Sequence, residues 1–452
     1  MPLSYLDALE RIRCEAEQDA IAFRSGFERL SIDKAVSRIS QVTYRCHEAT
    51  PKYDTSAMDG YALNSAATQS ATPETPIIFR VCGTIAAGDE PLRIDNGTVS
   101  DIPPCVEIMT GAPFPQNAGD RQFDCCVRLE DVTAISVSGY PCIGIRKPAT
   151  FQQNRRLAGG DFSPGDIIIS AGQVIQPSHI MALASVGIME VHVTRKTVVG
   201  VFSTGNEVER VCRRGQHHIA DANGPYISAS LQAQGSEVDF LGTLEDNSDA
   251  ITHGIRAASN TNRYDVLISS GAVSAGKYDF VPSALQNLHV RQVFHKIAIR
   301  PGHPVLFAKI PISARKAVER GVRGDRYEVP FFGLPGNPVA SAACLQFLVA
   351  PYLKHLQKQS PEPVLEATIC QFGDSKPPDR ALAQLLLKVP KDLDVFRPGV
   401  TQRRIADHLE VTPLEHSSWK VKPFLEANCW IHVPAGQSDV YQGDTVSILA
   451  SH

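Results

Sequence analysis

The sequence predicts a multidomain α/β protein. It has a central parallel-rich sheet covered by helices, a β-rich insert, a mixed α+β N-terminal and linker part, and a small C-terminal β-barrel. Three observations carry that expectation. The chain has 452 residues, too many for one hydrophobic core, since single cores stop growing at roughly 250–300 residues. From Thr197 onward, strand and helix patterns alternate, as in a parallel sheet with helical crossovers. On either side of that stretch the texture changes to short strands punctuated by glycine and proline.

Taken in order, residues 4–25 place apolar side chains at Leu6, Leu9, Ile12 and Ala16, a spacing that predicts an amphipathic helix on the surface of its domain. Residues 31–39 read as a shorter helix or an extended piece. Between about 49 and 148 the chain is β-rich, for example at 77–81 and 125–129. Residues 165–193 return to strand, helix and strand, with Gly187 stopping the helix. The first and third pieces are expected to pack together with the β-rich piece looped out. The expected domains are therefore 1–48 plus 145–196, 49–144, 197–357 and 358–452.

Within 197–357 the order is VVGVFS (strand), PYISASLQAQG (helix), EVDFLG (strand), SDAITHGIRAAS (helix) and YDVLISS (strand). The polar, basic stretch 312–328 is expected to be a surface loop. A helix opens at Asn337-Pro338, with asparagine as N-cap and proline at the first helical position, and is expected to reach Tyr352. After Pro361-Glu362-Pro363 short strands predict a small barrel or sandwich.

Composition excludes several functions. Forty-four basic against 48 acidic residues leave a formal charge of −4, so no global field would hold a nucleic acid, and any anion site must be local. Hydrophobic residues at 43% and charged residues at 20% are ordinary for a globular chain. Eleven cysteines without C-x-x-C spacing predict reduced thiols, a cytoplasmic location and no structural zinc. No apolar run is expected to approach the ~20 residues that cross a bilayer.

The chemistry is expected at strand ends, where ligands bind in open α/β sheets. Gly271, Ser274 and Gly276 can turn backbone N–H groups toward an anion. The run from Gly271 to Lys277 matches the start of a P-loop, but Tyr278 stands where a magnesium-binding Ser or Thr is required. A glycine-containing strand-to-helix turn is the better reading. Glu207, Asp246 and Asp279 each follow a predicted strand, and carboxylates on one rim suit Mg²⁺ and phosphate. Each alone reads better as a helix or turn cap; three at successive strand ends favour the site. Lys296 and Arg300 are four residues apart, so on a strand they share a face and could attract an oxyanion; a solvated strand edge is the alternative. The apolar run into Pro335-Gly336-Asn337-Pro338 predicts a sharp turn that leaves a helix N-terminus open to an anion.

Eight segments in order resemble the MoeA-type molybdopterin molybdenumtransferases, a family that includes the E domains of gephyrin and of plant and fungal cofactor-synthesis proteins. They are SAMDGYA (56–62), GTIAAG (83–88), IMTGAP (108–113), GGD (159–161), STGNE (203–207), SGAVS (270–274), RPGHP (300–304) and LPGNP (334–338). The resemblance covers nearly the whole chain. It implies a four-part molecule whose 197–357 domain is a MogA/MoaB-like pterin-binding module. It implies a homodimer whose cleft combines this domain with the β-insert of the second subunit and with the barrel. The implied reaction takes adenylylated molybdopterin and molybdate, uses Mg²⁺, and releases AMP, with a molybdopterin adenylyltransferase as a possible partner.

By the same resemblance, Asp59, Thr110 and Asp161 belong to the part of the cleft outside the α/β domain. Glu207, Asp246 and Asp279 bind metal and pterin nucleotide, and Lys296 and Arg300 hold phosphate or molybdate. Gly271, Ser274, Pro301, Pro335, Asn337 and Pro338 belong to the ligand-binding surface, and Arg404 and Ser417 match a molybdate-contacting arginine and serine. The departures are Ala272 for a usual glycine, Arg300 and His303 for two lysines, and Ala340 for a serine that Ser341 follows. They define the alternatives: a catalytically weakened pterin-binding or scaffold paralogue, and more distantly a nucleotide hydrolase built on the near P-loop.

Overall fold

Three apolar runs, Val198–Thr204, Val266–Ser270 and Glu328–Leu334, are buried over almost their whole length, as expected of strands covered on both faces. In the computed structural model they form the middle of a six-stranded sheet. The structure describes all residues except 1, 24–25, 95–101, 117–122, 210–218, 262, 274–279, 313–327, 360–362, 372–383, 404–408, 416 and 451–452. The strand order is Glu237–Leu244, Val198–Thr204, Val266–Ser270, Glu328–Leu334, Leu306–Pro311, Arg291–His295. The first four are mutually parallel, and Leu306–Pro311 runs antiparallel to both of its neighbours.

Alternation along the strands sorts side chains to two faces. Val199, Val201, Ile268 and Phe332 pack with helix Asn223–Ala233 and the helical stretch Pro338–Leu356. Leu267, Leu306 and Phe331 pack with helices Ser248–Ser259 and Val281–Asn287. From Thr204 the chain crosses to the neighbour on one side, and from Leu244 it returns to the other. From Ser270 it leaves toward Arg291–His295 on the far side, so the connections after Val198–Thr204 and Val266–Ser270 part while the strands stay paired to Ser203 and Ser270, and a crevice opens at that switch point.

The N-terminal helix Tyr5–Phe23 buries Tyr5, Ala8, Ile12, Ala16 and Ala20 in the α/β core and leaves Leu6 72% exposed. The expected stripe of Leu6, Leu9, Ile12 and Ala16 is thus rotated, and the helix is a core element of the α/β unit. A line of small alanines lets it lie close against Ala350–Leu356, which a stripe of leucines would hold further away. Under this helix sits Lys309, 1% exposed, paired with Asp19 and Glu15. The Tyr352 hydroxyl also donates to Asp19. Arg291 donates to both Glu15 oxygens at 2.7 and 2.8 Å, and to Glu328 at 2.8 Å.

The helical stretch Pro338–Leu356 runs past the expected Tyr352. A π turn at Leu345–Val349 precedes Pro351, absorbing the missing N–H and the clash with the carbonyl four residues back. At 19 residues and mean hydropathy 1.2 it is long and apolar enough to span a bilayer, so the expectation that no run approaches that length is corrected. It is 78% buried within the protein and serves as the core helix of the α/β unit.

Residues from both sides of the β-insert share one core, including Ile32, Ile169, Leu183, Val191 and Val193. Strand Phe27–Ser31 pairs antiparallel with Glu190–Thr194, and Tyr44–Arg45 with Ile167–Ile169. The insert is a six-stranded sheet in the order Cys125–Arg128, Gly60–Leu63, Pro104–Ile108, Ile77–Ile85, Tyr140–Ile145, Val132–Val137. At the C-terminus, Asp394–Arg403 pairs with both Leu409–Pro413 and Cys429–Val433. Leu365–Ile369 and Thr445–Ala450 complete a closed five-stranded barrel, which removes the open edges a sandwich would leave. The basic stretch 312–328 lies almost wholly outside the described residues, as do Gly276, Lys277 and Tyr278 of the near P-loop.

Candidate functional site

A cleft of about 780 Å³ opens at the carboxyl ends of the two central strands. Four strand-end segments meet there, and side chains tie them together. The Thr204 hydroxyl donates to the Ser270 carbonyl at 3.0 Å. The Ser203 hydroxyl donates to Asp221 Oδ2 at 2.6 Å, and the Gly224 N–H to Asp221 Oδ1 at 2.9 Å. Asn223 Nδ2 donates to Ser270 Oγ at 2.7 Å and to the Gly336 carbonyl at 2.8 Å, bridging the turns that follow two separate strands.

On the rim, Asn206 N–H donates to Asp246 Oδ2 at 3.1 Å while Asp246 N–H donates to Asn206 Oδ1 at 3.0 Å. This reciprocal pair pins the loop that carries exposed Glu207 to the loop that carries half-buried Asp246. Gly271 turns at φ +98°, and a Cβ there would stand 2.5 Å from Thr204 Oγ1, so no side chain fits. Ala272 follows at φ +53°, a left-handed conformation that costs a residue with a Cβ about 1 kcal/mol.

Of the expected site residues, Glu207, Asp246, Gly271, Pro335, Asn337 and Pro338 all line this cleft. Ser274, Asp279 and Arg404 lie outside the described residues. Asn337 and Pro338 do open a helix, but its N-terminus is partly occupied. The Val339 N–H donates to the Ser418 carbonyl at 3.0 Å, and Asn337 Nδ2 to Ser418 Oγ at 3.2 Å. Ser417 itself is in the same turn and accepts from the Lys420 N–H at 3.2 Å.

Lys296 and Arg300 do not share a strand face. Strand Arg291–His295 ends before Lys296, which has φ +67°, and Ile299–Arg300 starts a new pairing with the barrel strand Asp394–Arg403. The positive φ reverses the chain, so four-residue spacing no longer sets direction. Exposed Arg300 instead lies near Arg397. Burial, and then the charge of Arg300, push the Arg397 guanidinium below the usual arginine range; Arg397 Nε donates to the Leu414 carbonyl at 2.8 Å. Pro301 is buried away from the cleft lining, and His303 donates through Nδ1 to the Ile297 carbonyl at 2.6 Å.

Asp59 and Thr110 are brought together on the β-insert, where Asp59 Oδ1 accepts from the Thr110 N–H at 2.6 Å and from its hydroxyl at 2.9 Å. These bonds, the backbone one first, hold the Asp59 carboxyl below the usual carboxylate range. Asp161 is exposed, and its N–H donates to the Thr50 carbonyl at 3.0 Å. None of the three is among the residues lining the cleft.

Thr110→Val removes the hydroxyl donor and keeps the N–H. A depressed carboxyl adds stability that is lost as pH falls through its folded-state pKa, so the variant should lose that contribution at a higher pH. The expected NMR titration of Asp59 is an upward shift that stops short of the free carboxylate value; no shift refutes the pairing.

The residues missed from sequence are Asp221, Asn223, Ser270, Arg397 and Trp419. The Asp221-Ala222-Asn223-Gly224 run carries a legible helix-start signal. Nothing local places the other three. Among the described residues no group of three or more His, Cys, Asp or Glu could hold a metal, and the ten described cysteines are all free. Glu207 and Asp246 supply two carboxylates to one cleft.

The description "MoeA N-terminal region (domain I and II)" matches residues 3–187, "probable molybdopterin binding domain" 200–355, and "MoeA C-terminal region (domain IV)" 383–450. A molybdopterin molybdenumtransferase of Synechococcus elongatus is 30% identical over 453 residues, covering 99% of each chain. The chain belongs to the MoeA family of molybdopterin molybdenumtransferases. A Haemophilus influenzae protein of the same name is 31% identical over 434 residues, covering 95% of each chain. Two structures of MoeA proteins from Pyrococcus horikoshii superpose with TM-scores of 0.71 and 0.72 at 25% and 19% identity. Both cover 100% of this chain, and the alignments take in 99% and 100% of theirs. The cleft lies within the segment matched as molybdopterin-binding, apart from Trp419, which the C-terminal region contributes.

Proposed function

We propose that this MoeA-family chain inserts molybdate into adenylylated molybdopterin and releases AMP. The observation that carries the reading is the switch-point cleft, with Glu207 and Asp246 on the rim and the Gly271 and Pro335–Gly336 turns as its floor. The floor can present backbone groups to phosphate oxygens, and Asn223 holds the two turns in register. Glu207 and Asp246 are hard oxygen donors, and a pair of carboxylates plus ligand phosphates suits Mg²⁺, which keeps several waters. When bound there, Mg²⁺ would supply charge neutralisation for cleavage of the phosphoanhydride. Asp279 would join this set.

For molybdate, the arginine pair replaces the expected Lys296–Arg300 face. Burial first and the Arg300 charge second lower the Arg397 guanidinium, and a tetrahedral dianion beside the two arginines would relieve both effects. Ser417, beside the turn clamped to Asn337, belongs to the same edge. Asp59 and Thr110 form a prepared polar unit away from their own chain's cleft, which supports a homodimer in which one subunit's insert completes the other's site. We place the protein in the cytoplasm, where an adenylyltransferase could hand over the nucleotide.

A second reading, a weakened pterin-binding paralogue, is favoured by Ala272 at its left-handed position in the floor. The two separate in one experiment. Expression in a cell lacking molybdenum insertion should restore a molybdoenzyme at low molybdate, and the purified chain should release AMP only when molybdate is added. Pterin-nucleotide binding without AMP release would select the paralogue instead.

A further inference from the structure

The chain has two tryptophans, and their settings are opposite. Trp430 is 2% exposed in the core, whereas Trp419 is 64% exposed at the cleft wall. Trp419 is the one aromatic side chain among the described residues that line the cleft. Every other described lining residue is polar, small or aliphatic, so among them the indole offers the one aromatic face to a flat ring.

The turn carrying this indole is clamped on both sides. Before it, Ser418 accepts from Val339 N–H and from Asn337 Nδ2. After it, the short helix Lys422–Glu426 places Phe424 against Tyr226 at 5.9 Å and against Trp430 at 5.5 Å. Phe424, together with Phe396 and Trp430 against Phe347, seals the barrel to the α/β domain, and Trp419 takes no part in that seam. An indole held outward on an anchored turn forgoes the burial that normally makes tryptophan stabilising. The Lys420 ammonium, ion-paired to Glu415, lies 5.7 Å from the ring centroid. A cation on one face polarises the ring and leaves the opposite face for a second planar group.

We propose that Trp419 is a positioning residue that stacks on a planar nitrogen heterocycle of the ligand held in the cleft. The α/β domain then holds the phosphates while the barrel reads the ring. This rests on the cleft being the pterin-nucleotide site, and the two rings of that ligand, pterin and adenine, share the chemistry that Trp419 selects.

The test titrates the full chain with AMP, with pterin and with ribose 5-phosphate, following indole emission and calorimetric affinity. A ring that stacks quenches the exposed indole, and Trp419→Phe abolishes the quench while keeping most of the affinity. Trp419→Ala weakens the stacking probe by about tenfold and leaves ribose 5-phosphate unchanged; whichever probe responds names the ring. Ring probes that bind Trp419→Ala as tightly as the native chain overturn the stacking role and leave the cleft reading standing. An equal loss for ribose 5-phosphate also overturns it, because Trp419 would then only shape the cleft. If neither AMP nor pterin binds the native chain, the cleft reading and the stacking role fall together.

Discussion

Asp246→Asn is expected to leave the protein folded and to cut molybdate-dependent AMP release by on the order of a hundredfold, the scale of removing one charge-stabilising group from an active site. The substitution is chosen because Asp246 has two jobs. Its Oδ2 accepts from the Asn206 N–H and its own N–H donates to Asn206 Oδ1. An asparagine side-chain oxygen can still accept the first bond, and the second is backbone-borne, so the loop that presents Glu207 stays pinned. What disappears is one of the two anionic carboxylates that would hold Mg²⁺ beside the ligand phosphates. Glu207→Gln makes the same change on an exposed side chain with no structural duty in view, and should lose activity to a similar degree. Full AMP release by both variants, with unchanged melting, would remove the carboxylate rim from the mechanism.

The second large effect concerns stability. Asp19→Ala is expected to cost about 3–5 kcal/mol in denaturant unfolding of the α/β unit, because it strands a buried ammonium. Lys309 is 1% exposed and pairs with Asp19, with Glu15 further away at 3.8 Å and already engaged by Arg291. Burial raises the Asp19 carboxyl above its ordinary range in spite of the Lys309 charge, so desolvation outweighs attraction at this site. Lys309→Met removes the ammonium and keeps the volume, while the Asp19 carboxyl it leaves is less buried than Lys309 and still accepts from the Tyr352 hydroxyl, so it should cost less than Asp19→Ala. If Lys309→Met destabilises as much as Asp19→Ala, the ion pair is a net source of stability and the ranking of the two effects is wrong.

Much of the cleft was legible before any coordinates. Strands covered on both faces must be apolar throughout, so they stand out as runs, and ligands gather where such strands end. That is why Glu207, Asp246, Gly271 and Asn337 could be named from position alone. The same logic failed at Lys296 and Arg300. It assumed one continuous strand, and a single left-handed residue broke it. It failed again for the first helix, where a larger leucine suggested the buried face but close packing favoured alanine.

What the sequence by itself determined is the order of elements, the family, and which strand ends carry carboxylates and glycine turns, because local periodicity and turn chemistry act over a few residues. The tertiary structure alone decided that Ser418 caps the helix of Val339, that the charge of Arg300 reaches Arg397, and that Trp419 reaches the cleft. Those neighbours are set by how a barrel packs on a sheet, through contacts between segments far apart in the chain, and no local pattern encodes them.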